Sequence, residues 1–192
     1  MHIIIFFIFT QQRSAGRTEF YFLHFGNTRP LGATCHKKIE QHLSSKEIKI
    51  DRFKIFAPTW WEDVSNSNPE GPYTIVDGRL DEPGVLQFST AEYIRGLKPN
   101  PTCEDLIEMS EKVGIKNDFG RVTHRSSGNC KLGKYGVVEF SSDKFPYISV
   151  WHLSNGKDFV LATFICSKNP EPSEIRDVKE ILVTMKKKNL FF

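Results

Sequence analysis

The chain has 192 residues, 39% of them hydrophobic and 16 of them phenylalanine, which is enough for one buried core and too apolar for a disordered chain. Five of the 26 basic residues and two of the 23 acidic ones lie in 1–45, so the net charge of +3 arises there and 46–192 carries 21 of each sign. A body neutral in sum lacks the overall drive toward phosphates that nucleic-acid binders carry, and no apolar run nears the roughly 18 residues that span a bilayer.

Residues 1–45 read differently from the rest. MHIIIFFIFT opens with seven apolar residues, Ile3 to Phe9, preceded only by His2. A secretory signal wants a positive leader, a longer apolar core and a small-residue cleavage site. The expectation is therefore a poorly structured N-terminal extension, or residues read from upstream of a true start such as Leu43. A weak signal segment over 1–16 is the alternative, and it would send the protein out of the cytoplasm. The folded domain is expected over 46–192. The four cysteines, at 35, 103, 130 and 166, show no disulfide pattern and fit a reducing compartment.

Along the body, FKIFAP alternates as a strand and Pro58 ends it. SNSNPEGP is turn chemistry, YTIVD a short β-branched run, and VLQFSTAEYI a further strand. After LKPNP, Thr102 caps a helix with Glu104 and Asp105 in its first turn, and Gly114 is placed to end it. RVTHRS, KYGVVEFSS, FPYISVWHLS and DFVLATFICS follow as strands, the last two joined at Asn155-Gly156. Ser173 is the expected cap of a final helix, with Ile175, Val178, Leu182 and Met185 as its apolar stripe and Lys186, Lys187 and Lys188 at its negative end. The order βββαββββα predicts an α+β domain: a largely antiparallel sheet of six or seven strands flanked by helices.

Catalytic signatures are sparse. The cysteines form no CxxC and the histidines no HxxxH pair, so neither a metal site nor a cofactor is expected. Two cross-strand pairings, His124 with Cys130 and His152 with Glu139, fall short of the three or four ligands a site needs. There is no G-x-S-x-G elbow and no phosphate-binding glycine loop. Cys103 at a helix start has no identifiable histidine partner. Glu62-Asp63 and Asp81-Glu82 fall in loop-like contexts, and Tyr73, Tyr147 and Trp151 share one sheet face.

A strand followed by Pro58-Thr59-Trp60-Trp61, the VLQFSTAEY strand before the first helix and the long last helix together resemble the PsbP-like superfamily. The likeness covers about residues 48–188. That superfamily includes the extrinsic photosystem II protein, the Ran-binding nuclear import factor and small bacterial domains, some of them chaperones of secreted effectors. The resemblance implies an α/β/α sandwich with no shared catalytic residues. It makes Trp61 the core anchor and leaves Trp60 as the surplus ring; neighbours on a strand point to opposite faces. The expected function is a non-catalytic protein-binding module, a chaperone, adaptor or immunity-type partner of an effector or toxin. Trp60, Glu62, Asp63 and Tyr73 are its candidate contact residues. The alternative is a small-molecule enzyme with a cleft near the C-terminal helix.

Overall fold

Ile48 and Ile50 alternate with Glu47 and Lys49, and in the computed structural model this short run is a strand, β1 (Ser45–Ile50). The structure describes residues 44–68 and 70–188. The expectations for the N-terminal extension therefore fall, up to residue 43, outside the described residues, and β1 begins at Ser45.

β1 pairs with β2 (Phe53–Pro58), whose other neighbour is β10 (Lys186–Lys187), making a three-stranded antiparallel sheet. The remaining strands are β3 (Trp61–Asp63), β4 (Tyr73–Asp77), β5 (Val85–Glu92), β6 (Arg121–Asn129), β7 (Lys134–Ser141), β8 (Tyr147–Ser154) and β9 (Asp158–Cys166). They form a seven-stranded antiparallel sheet in the order β3-β4-β5-β9-β8-β7-β6. The α+β reading holds, and all seven expected strands are present. β1 and the short strands β3 and β10 are additional.

Two helices complete the layers. α1 (Cys103–Lys116) lies across β6, β7 and β8. Val113 from the helix, Val138 and Phe140 from β7, and Ile148 and Val150 from β8 close that face. α2 (Pro172–Val183) and the small sheet cover the other face, where Phe53, Ile55, Trp61, Phe88, Trp151, Phe164, Ile181 and Leu182 are buried together.

The helix ends differ from the sequence expectation in three ways. Thr102 does cap α1, its hydroxyl accepting from Asp105 N–H while Asp105 accepts from Thr102 N–H. Gly114, however, does not stop that helix; it is buried within it against the Phe140 ring, which a Cβ there would overlap. The stop comes at Asn117, followed by Asp118 at φ 53° and Gly120 at φ 91°. α2 is capped at Glu171 with Pro172 in its first turn and ends at Val183. The lysines beyond it do not complement the helix end: Lys186 and Lys187 form a strand against Lys54 and Phe53.

Candidate functional site

The chain turns sharply between β2 and β3, and Trp60 occupies that turn just before the edge strand of the large sheet. Trp61, first residue of β3, is fully buried, and Trp60 is half-buried. The neighbouring rings nevertheless share one anchor. Both indole N–H groups donate to Asp177 Oδ2 on α2, at 3.3 Å from Trp60 and 3.4 Å from Trp61.

Opposite Trp61 on β4 is Asp77, also fully buried. Its carboxylate accepts from the backbone N–H and the Nε of Arg79, at 3.0 and 2.9 Å. This fork holds the guanidinium 4.2 Å above the ring of Trp60, and its Nη2 lies 3.5 Å from Asp177 Oδ2. One end of the sheet thus carries a half-exposed Arg79 stacked on a half-buried Trp60, each gripped from below by a buried aspartate. Asp77 raises the guanidinium's pKa through its hydrogen bond. The third buried carboxylate, Glu174, accepts from Gly84 N–H at 2.7 Å. Burial pushes its pKa up, because an ion there loses its water.

The other candidate residues lie along the same sheet edge. Glu62 and Asp63 are exposed on β3 itself rather than in a loop. Asp63 Oδ1 accepts from the backbone and hydroxyl of Ser65, at 3.0 and 2.6 Å, which starts the 3-10 turn at Ser65–Ser67. Tyr73 is 40% exposed at the far end of β4, opposite Phe88. Trp60, Arg79 and Glu62 therefore cluster, with Glu62 beside Gly78 in the β4–β5 turn, while Tyr73 stands four positions along β4 from Asp77.

Asp77, Arg79 and Asp177 were not legible as a unit, since they come from two distant segments. A signal did exist in α2. Its buried residues are Glu174, Asp177, Val178, Ile181 and Leu182. Two acidic residues thus occupy the stripe four and seven positions before Ile181, where an inward carboxylate needs partners. The stripe is rotated from the expected one, Ile175 being only half-buried.

Elsewhere, the cross-strand pairings differ from those expected. His124 faces Glu139, and Cys130 sits in the β6–β7 turn. His152 faces Gly136 and Leu161, so it does not meet Glu139. It is buried, and its Nδ1 lies 2.9 Å from Ser110 Oγ. That hydroxyl also reaches the carbonyls of Leu106 and Gly136 at 3.0 and 3.2 Å. Its single proton serves one of these three partners, and the direction of the bond to His152 Nδ1 follows from the imidazole tautomer. This Ser–His pair bolts α1 to the sheet in a closed interior. Burial lowers the pKa of His152 to about 4 and raises that of the Cys166 thiol. Among the described residues no group of three His, Cys, Asp or Glu side chains is placed to hold a metal ion, and no helix is long and apolar enough to cross a membrane.

No family model matches the chain, and no curated protein matches it in sequence. Solved structures do. The chain is similar to the solution structure of cyanobacterial PsbP from Synechocystis sp. PCC 6803, at 11% identity and a TM-score of 0.51, over 81% of this chain and 98% of that one. A crystal structure from Bacteroides thetaiotaomicron VPI-5482 aligns at 14% identity and a TM-score of 0.42, over 72% of this chain and 46% of that one. The first likeness agrees with the layers described above: the chain has the PsbP-like α+β fold.

Proposed function

We propose that this chain is a non-catalytic module that binds a protein partner through the surface around Trp60 and Arg79. One observation carries the reading. Tryptophan and arginine are the residue types that dominate binding hot spots, and here they are stacked at the surface with their polar groups fixed by Asp177 and Asp77. Side chains already held in place lose less freedom on association, so more of the contact energy appears as affinity. Glu62 and the open side of β3 extend the patch, since an edge strand offers unpaired backbone groups to an incoming segment.

By resemblance to small bacterial PsbP-like domains, the partner is a secreted effector or toxin, and this chain is its chaperone, adaptor or immunity protein. The test is crosslinking with a photoreactive amino acid at Glu62, compared with the same label at Lys116 on the far end of α1. A single protein crosslinked from Glu62 alone supports the reading. Equal labelling from both positions, or none from Glu62, contradicts it.

A further inference from the structure

The body is neutral in sum but not in arrangement. At the end of the sheet where β5 stops and β9 starts, the β5–α1 loop exposes Ile94 (83%) and Leu97 (89%) to solvent. A single exposed aliphatic side chain is ordinary on a protein surface; what distinguishes this loop is that two of them sit three residues apart with Arg95 and Lys98 between and beside them. The loop is not a loose strand of chain. Tyr93 N–H donates to Lys157 O at 2.7 Å, Lys134 Nζ donates to Pro101 O at 3.3 Å, and Gly156 packs against the backbone of Pro99. Between these anchors, Gly96 at φ 94° turns the apex, and Ile94 and Leu97 flank it.

Cations surround that tip. Arg95 and Lys98 belong to the loop itself, Lys157 to the adjoining hairpin, and Lys134, bonded to Pro101 O, to the start of β7. Arg95 and Lys98 make no ion pair among the described residues. The nearby carboxylates are already engaged or counterbalanced. Glu92 is paired with Arg52 and Lys157, Asp158 with Lys187 and Arg52, and Asp105 closes the capping box of α1. Glu104 is the acidic neighbour left exposed and unpaired. At the opposite end, by contrast, Asp77, Asp81, Glu82, Glu174 and Asp177 gather around Arg79 and Lys168.

We infer that the Ile94–Leu97 tip docks on an anionic lipid surface, inserting its two aliphatic side chains while the surrounding cations meet the headgroups. The residue types favour lipid over other anionic partners. A nucleic acid would call for stacking aromatics in place of isoleucine and leucine. A protein hot spot would call for tryptophan, tyrosine or arginine in a packed pocket, which is the chemistry of the opposite end, not of this tip. Paired aliphatic and basic groups are what an interfacial anchor needs, since apolar insertion and attraction to acidic headgroups add. The tip lies at the end of the sheet away from Trp60, so this inference is independent of the partner reading.

The full chain is sedimented with vesicles of phosphatidylcholine alone and of phosphatidylcholine mixed with phosphatidylglycerol. The expected result is binding that favours the anionic vesicles and weakens in high salt. Arg95→Glu with Lys98→Glu should remove that preference, weakening anionic-vesicle binding by about ten-fold or more. Ile94→Ser with Leu97→Ser should weaken it about as much while leaving the denaturation midpoint unchanged. Equal binding to both vesicles, no binding to either, or an anionic preference that survives both double variants overturns the inference. So does loss of an acidic protein partner, in place of vesicle binding, on mutating the tip.

Discussion

The guanidinium of Arg79 lies 4.2 Å above the ring of Trp60, and neither side chain is free to turn away. Asp177 fixes the ring through its N–H, and Asp77 fixes the guanidinium through two donors, Nε and Nη2. Asp177 also holds Trp61, so one carboxylate serves the core ring and the surface ring together. Asp177→Ala leaves a buried indole N–H without an acceptor and should cost about 2–4 kcal/mol, whereas Asp177→Asn keeps an acceptor and should cost about 1 kcal/mol. Urea titration of the two variants measures the difference. Equal losses would mean that the negative charge, which both variants remove, matters and the acceptor does not.

The two tryptophans should separate under truncation. Trp61 is fully buried, so Trp61→Ala loses its transfer energy and opens a cavity, about 3–5 kcal/mol. Trp60→Ala gives up a hydrogen bond and a cation–π contact at a partly wet site, about 1–2 kcal/mol. Denaturant midpoints of both variants check the order, and a larger loss at Trp60 would contradict it.

Much of this fold was legible in the chain, because period-2 alternation and turn residues act locally. FKIFAP, YTIVD and the four strands after α1 declared themselves, as did the Asn155-Gly156 turn, where Gly156 has φ 87°. Two of the strands missed are short and depend on partners distant in sequence: Trp61–Asp63 exists by pairing with β4, and Lys186–Lys187 by pairing with β2; β1, six residues long, pairs with the adjacent β2 and was missed although its Ile48–Ile50 alternation is local. The site was half legible. Adjacent tryptophans after Pro58 marked it, but Arg79 and Asp177 reach it only through the tertiary fold. The charge pattern was hidden for the same reason, since a count over 46–192 cannot see which end of a sheet each lysine joins.

Gly114 offers a test of helix-to-sheet packing. A Cβ there would overlap the Phe140 ring, so Gly114→Ala forces α1 off β7 despite alanine's better helix propensity. The expected loss is about 1–3 kcal/mol. A stabilised variant in thermal unfolding would show that the ring can move aside.

His152 predicts a pH dependence with a definite sign. Burial lowers its folded pKa from 6.5 to about 4, so between those values the unfolded chain takes up a proton that the folded chain refuses. Stability should therefore fall as pH drops through that window, by up to about 3 kcal/mol from this group. Glu174, its pKa raised by burial, opposes the trend, because the folded state welcomes its proton above the unfolded pKa. Urea midpoints across the window should lose most of their slope in His152→Gln and become steeper in Glu174→Gln. An unchanged slope in His152→Gln would contradict the assignment.

The central claim is that the Trp60–Arg79 stack is held for a partner. Once a protein is crosslinked from Glu62, isothermal titration of that protein against wild type and Trp60→Ala tests the claim directly. The predicted result is a loss of about 2 kcal/mol or more in binding, some thirty-fold in Kd, from a variant whose far-UV spectrum matches wild type. Unchanged affinity in Trp60→Ala would contradict the account and return this ring to a purely structural role.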